Sequence, residues 1–128
     1  LTISCENFEF KDDIFDDLVN LEKLDLNGKS RIALSSKTFK NLSNLKILDL
    51  SYIKFENLDI DLFRGLDNLE ELVLEYSRLK ELDPKMLAGL NNLKIVSINE
   101  NELKEGQKEI LEKEFPDIIQ FKSIQVAD

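Results

Sequence analysis

Apolar residues recur along this chain as a repeated triplet. Leu21–Leu24–Leu26, Leu45–Leu48–Leu50, Leu69–Leu72–Leu74 and Leu93–Val96–Ile98 begin 24 residues apart. Counting from the first residue of each triplet, other columns keep the same step. Position 14 holds Leu34, Leu58 and Leu82, position 19 holds Phe39, Phe63, Leu87 and Leu111, and position 22 holds Leu42, Leu66 and Leu90. Position 11 reads Arg31, Phe55, Leu79, Leu103, and each triplet is preceded by an asparagine: Asn20, Asn44, Asn68, Asn92. A period of roughly 20–50 residues marks a stacked-repeat architecture, because a single unit cannot bury its own apolar face.

The triplet's second half alternates apolar and polar residues, which predicts a short strand with its leucines on one side and the intervening residues on the other. Stacked repeats then make a parallel ladder spaced by about 4.8 Å. The predicted fold is α/β: a right-handed solenoid with a concave parallel sheet of about five to six short strands, returning on the convex side through turns or brief helical pieces. Phe39 and Phe63 are expected to stack as an aromatic spine on the far side of the core. At the N-terminus, Leu1 and Ile3 fit positions 4 and 6 of a partial repeat, and Phe8, Phe15 and Leu18 fit positions 11, 19 and 22. The pattern drifts after Leu103. Residues 104–115 predict a helix with Ile110, Leu111 and Phe115 on one face and Pro116 as its stop. Ile118, Phe121 and Ile124 then suggest a last strand one residue out of register. The chain thus reads as a single domain: 1–20 a partial N-terminal repeat, 21–103 the repeats, 104–128 a C-terminal cap of helix plus strand.

Segments such as LFRGLDNLEELVL (62–74) and TFKNLSNLKILDLS (38–51) resemble the 24-residue leucine-rich repeats of animal extracellular proteins. Toll-like receptors, axon-guidance ligands and the secreted leucine-rich immune proteins of insects carry such repeats. The resemblance covers residues 1–103 and implies a protein-recognition module with an extracellular bias. Two features depart from it. The flanking cysteine clusters are absent, and the position 9 asparagine, which bonds the turn after each strand, reads Lys29, Ile53, Ser77 and Asn101. Buried turn amides must still find partners. Water, Ser77 or rearranged turns are expected to supply them, with looser turns in the first two repeats.

Charge bears on the partner. Seventeen basic and 26 acidic residues leave a net charge of −9. Nucleic acid and anionic lipid need basic stripes, so the expected partner is a protein with a basic surface, not a nucleic acid. Homo-oligomers fit as well. No apolar run approaches the roughly 20 residues that span a bilayer, so no direct membrane insertion is expected. No charged-then-apolar leader precedes Leu1, so the chain reads either as one whose leader has been removed or as a fragment, secreted or from an ectodomain, with a cytoplasmic location as the alternative. Cys5 is the sole cysteine: a buried thiol, or half of a pair with a cysteine elsewhere.

Little here suggests catalysis. The chain has no His, no phosphate-cradling glycine loop, no nucleophile elbow and no cluster with metal-ligand spacing, so no catalytic residue, cofactor or metal site is expected. Function is expected instead at outward-pointing strand positions. Position 3 offers Ile47, Glu71 and Ile95, position 5 Asp49 and Val73, position 7 Glu75, and position 8 Tyr52 and Tyr76. Tyrosine is favoured at binding hot spots, and apolar side chains exposed beside acids read as a protein-binding patch. Position 2 alternates as Glu22, Lys46, Glu70, Lys94, a charge ladder that supports stacking. Asn41-Leu42-Ser43 is an N-glycosylation sequon, which makes Asn41 a candidate acceptor in a secreted protein. The expected function is therefore a non-enzymatic protein-binding module using its concave sheet face, extracellular and in innate immunity. The alternatives are an intracellular scaffold or regulatory subunit, and a structural spacer or dimerisation segment.

Overall fold

Each triplet contributes one three-residue strand. In the computed structural model, which describes residues 1–3, 11–28, 34–55 and 58–120, β1 (Lys23–Asp25), β2 (Ile47–Asp49), β3 (Glu71–Val73) and β4 (Ile95–Ser97) line up in parallel. The register is the sequence period itself: Leu24, Leu48, Leu72 and Val96 are partners across the sheet. All four are fully buried, as are Leu26, Leu50 and Leu74, so the alternation predicted from the pattern decides which face is core. A fifth strand, β5 (Ile119–Gln120), closes the order β1-β2-β3-β4-β5. The stacked-repeat solenoid expected from the 24-residue period is therefore the observed architecture, with five strands in the sheet among the described residues.

The return half of each repeat is mostly turns. Helix α1 (Lys85–Ala88) is a single turn that buries Met86 and Leu87. Phe39 and Phe63 are both buried, but the expected stack between them does not form: the ring stacked on Phe39 is Phe15, at 6.3 Å and 13°. Successive coils approach closely at Gly65, where φ is +93° and an added Cβ would lie 2.7 Å from the Lys40 carbonyl oxygen. The asparagine column clamps neighbouring coils: Asn44, Asn68 and Asn92 donate through Nδ2 to the carbonyls of Val19, Ser43 and Asp67 at 2.7–2.8 Å.

The ends bring the differences. Thr2 bridges Asp25, the register expected if Leu1 and Ile3 occupy positions 4 and 6. Leu1 and Leu18, expected in the core, are 52% and 37% exposed. The C-terminal helix is α2 (Gln107–Glu114), entered through Gly106 in the left-handed region. Leu111 is fully buried and Phe115 half-buried, but Ile110 is 50% exposed. One residue is about 100° of helix, and with Leu111 aimed at the core Ile110 rotates out of it. β5 pairs Ile119 with Val96, 23 residues apart, so the slip in register runs opposite to the one expected. Phe115 caps α2, and a turn over residues 116–118 leads directly into β5. Lys29, Arg31, Cys5, Phe8, Phe121 and Ile124 lie outside the described residues.

Candidate functional site

The outward face of the sheet is set by the same alternation that builds the core. Ile47, Glu71 and Ile95 are side by side across β2, β3 and β4, and Asp49 is beside Val73. All five are half-buried, flanked by neighbouring strands. Past the strand ends, Tyr52 and Tyr76 stack with ring centroids 5.0 Å apart and planes 4° from parallel. They remain 42% and 43% exposed. Of the eight candidate residues, five thus lie side by side on the strands, Glu75 lies two residues past the end of β3, and Tyr52 and Tyr76 lie at the turn.

The turn holding the tyrosines is unusual. Tyr52 has φ +65° and Tyr76 φ +54°, and Glu100 in the same column has φ +55°. Left-handed backbone places Cβ against the following carbonyl and costs about 1–2 kcal/mol per residue, so a bulky side chain there is uncommon. Neighbouring turns are tied together: the Tyr52 N–H donates to the Glu75 carbonyl at 3.0 Å and the Glu75 N–H to Ser51 Oγ at 3.3 Å.

Electrostatics single out Glu75. Burial pushes its carboxyl above the ordinary glutamate value, with Asp49 and Glu100 adding like charge. Glu100 is therefore a member of the face that the outward strand positions alone did not bring forward. Asp49 has a second duty, since its Oδ1 accepts the Ser51 N–H at 2.9 Å, as Asp25 does for Asn27. On the flank of the sheet the position 2 ladder forms in pairs: Lys46 to Glu22 at 3.3 Å and Lys94 to Glu70 at 2.8 Å. The hydrogen bond and charge of Lys94 hold the Glu70 carboxyl below its ordinary value.

Behind the tyrosine turn, position 9 splits by residue type. Asn101 donates Nδ2 to the carbonyls of Leu74 (2.6 Å) and Ile98 (2.9 Å), and its Oδ1 accepts the N–H groups of Ser77 and Leu79, both at 3.0 Å. Ser77 does part of the same work, its Oγ reaching the carbonyls of Leu50 and Glu75 at 3.2 and 3.1 Å. Ile53 does none of it and is fully buried as apolar packing. Asn41 is exposed and makes one long contact, 3.4 Å to the Asp16 carbonyl. Among the described residues no group of Cys, Asp or Glu is arranged to hold a metal, and no helix is long and apolar enough to cross a membrane.

Comparison with known proteins matches the family model described as leucine rich repeat over residues 19–75 and 44–103. A search of curated proteins finds no match. Among solved structures, the crystal structure of a TLR13–ssRNA13 complex is similar with TM-score 0.73 and 29% identity. The match covers 82% of this chain and 16% of that one, so this chain spans a small part of that protein's length. The finding corrects one expectation. The net charge of −9 had excluded nucleic acid as a partner, yet a protein with this fold is solved with single-stranded RNA. Net charge sums the whole surface, whereas a ligand meets a local patch, and bases stack on aromatic rings whatever the global sum. The expected preference for a basic partner rested on that sum and loses its support with it.

Proposed function

This chain belongs to the leucine-rich repeat family, and we infer that it is a non-enzymatic recognition module binding a partner protein on the outward sheet face around Tyr52, Val73 and Tyr76. The observation that carries the reading is the tyrosine pair, stacked at 5.0 Å and over 40% exposed while held in costly left-handed backbone. Nothing in the core needs those rings there. Half-buried Ile47, Val73 and Ile95 give the apolar part of the face, and Asp49, Glu71 and Glu75 its polar part. Rigid aromatic anchors among polar neighbours are the usual make-up of a binding hot spot. We extend the reading to an extracellular module in innate recognition, supported by the likeness to TLR13.

Single-stranded RNA is the second reading, favoured by the TLR13–ssRNA13 structure. One experiment separates the two. The chain is immobilised and exposed to extracellular fluid with and without ribonuclease, beside the Tyr52→Ala/Tyr76→Ala variant. Loss of two hot-spot residues at about 2 kcal/mol each should reduce capture of a specific protein by about 100-fold or more, with ribonuclease having no effect. Capture abolished by ribonuclease supports the RNA reading. Capture unchanged in the variant refutes the face as the site.

A further inference from the structure

A second surface begins two residues past Tyr52 and Tyr76, at Lys54 and Arg78, where the chain turns toward the return half of the repeat. Residues of the second, third and fourth repeats and of the cap together line a groove of about 780 Å³. This is within the roughly 300–1,000 Å³ usual for ligand sites. Its apolar lining comes from Phe55, Leu58, Ile60, Met86 and Ile110. Ile60 and Ile110 are 48% and 50% exposed, among the most exposed large apolar residues in the described chain. Gln107 also lines the groove, its Nε2 donating to the Leu82 carbonyl at 2.9 Å and fastening the start of α2 to the third repeat.

The rim is where charge decides. Lys54, Arg78, Lys80 and Lys104 line the groove. Arg78 is paired with Glu102 and Lys104 with Glu81, each at 3.5 Å. Lys54 and Lys80 have no ion pair among the described residues and are both exposed. Asp83 has no ion pair among the described residues either, so the groove carries one net positive charge, and two exposed lysines beside an exposed apolar lining are the complement of a ligand with apolar side chains and spaced carboxylates. A polyphosphate strand suits the groove less well, since Glu81, Asp83 and Glu102 also line it and would oppose evenly spaced negative charge. The lining mixes charged and apolar side chains, and its one aromatic residue, Phe55, is half-buried, which leaves little ring face on which a base could stack.

The geometry points to a docking groove for an extended acidic, apolar peptide segment of a partner protein, with Lys54 and Lys80 receiving its carboxylates and Ile60 and Ile110 its apolar side chains. Coils about 4.8 Å apart make the groove roughly 10–15 Å long, which takes about four extended residues. This site does not use the tyrosine pair, so either reading stands or falls alone.

The test is fluorescence polarisation with a labelled peptide of about eight residues carrying two aspartates among leucines and serines, long enough to cross the groove. Saturable binding is expected. It should weaken about tenfold or more in Lys54→Glu/Lys80→Glu and in Ile60→Ser, and stay within about twofold in Tyr52→Ala/Tyr76→Ala. All the substituted side chains are exposed, and unchanged melting and circular dichroism would establish that the variants are folded. The same peptide with Lys in place of both aspartates should fail to bind, and an oligouridine strand should not displace the acidic probe. Absence of saturable binding, equal binding by the basic peptide, insensitivity to the lysine reversal, or displacement by RNA would each overturn the proposal.

Discussion

Replacing Asn101 by Ala tests how much one side chain holds of an array whose turn column is otherwise eroded. Four bonds of 2.6–3.0 Å are lost: two donated to the Leu74 and Ile98 carbonyls and two accepted from the Ser77 and Leu79 N–H groups. A bond traded for water is worth about 1 kcal/mol net, but a buried donor left with no partner costs about 1–3 kcal/mol. Ser77 is fully buried, so its N–H has no route to solvent, whereas Asn101 itself is half-buried and some of its carbonyl partners can be rewetted. The loss should be about 3 kcal/mol. Ser77→Ala is the internal scale: its single hydroxyl proton serves the Leu50 and Glu75 carbonyls by turns, so its removal should cost about 1 kcal/mol. Urea unfolding measures both. Hydrogen exchange localises the effect, with the Ser77 and Leu79 amides accelerated about 100-fold in Asn101→Ala and the β2 amides little changed. A loss for Asn101→Ala under about 1 kcal/mol, or no larger than for Ser77→Ala, would show that the turn is held by packing rather than by these bonds.

Gly65→Ala should destabilise by about 2–4 kcal/mol in the same assay, because φ +93° and a Cβ 2.7 Å from a backbone oxygen act together. Gly106→Ala, with φ +84° but open space, should cost only about 1 kcal/mol, and Gly89→Ala, with neither constraint, should be neutral or slightly stabilising; equal effects would refute the close approach. Glu75 is raised above its ordinary value, so the folded chain binds more protons than the unfolded one between that value and the raised one, and stability falls as pH rises through the window. Glu75→Gln should therefore raise the melting temperature near pH 7 and give no gain near about pH 3.5; a gain equal at both would refute the assignment.

Much of the sheet could be read directly, for a physical reason: a side-chain period of two within a chain period of 24 leaves one register that buries Leu24, Leu48 and Leu72 together. The outward face followed from the same alternation. Legibility failed where no period applies. Ile110 and Leu111 are adjacent and both apolar, and only the packing of α2 decides which one enters the core. The Asn44, Asn68 and Asn92 column was visible, but the direction of its bonds, back to the preceding coil, was not. The groove is assembled from three successive coils at positions that look like ordinary mixed surface when taken repeat by repeat.

The tyrosine turn carries a balance that the folded chain leaves open. Two left-handed residues together cost about 2–4 kcal/mol against a conformation they would otherwise adopt. Their ring stack returns about 0.5–1.5 kcal/mol, for centroids at 5.0 Å in a near-parallel arrangement. The backbone bond from Tyr52 N–H to Glu75 needs no aromatic side chain, and an asparagine or glycine at that position would form it with less strain. On this arithmetic about 1–3 kcal/mol of strain is spent on presenting two exposed rings beside a carboxylate already unfavourably charged. Strain and like charge relieved or exploited on contact with another molecule are what a prepared binding surface would hold, and this supports the sheet face, rather than the array's ends, as the primary site.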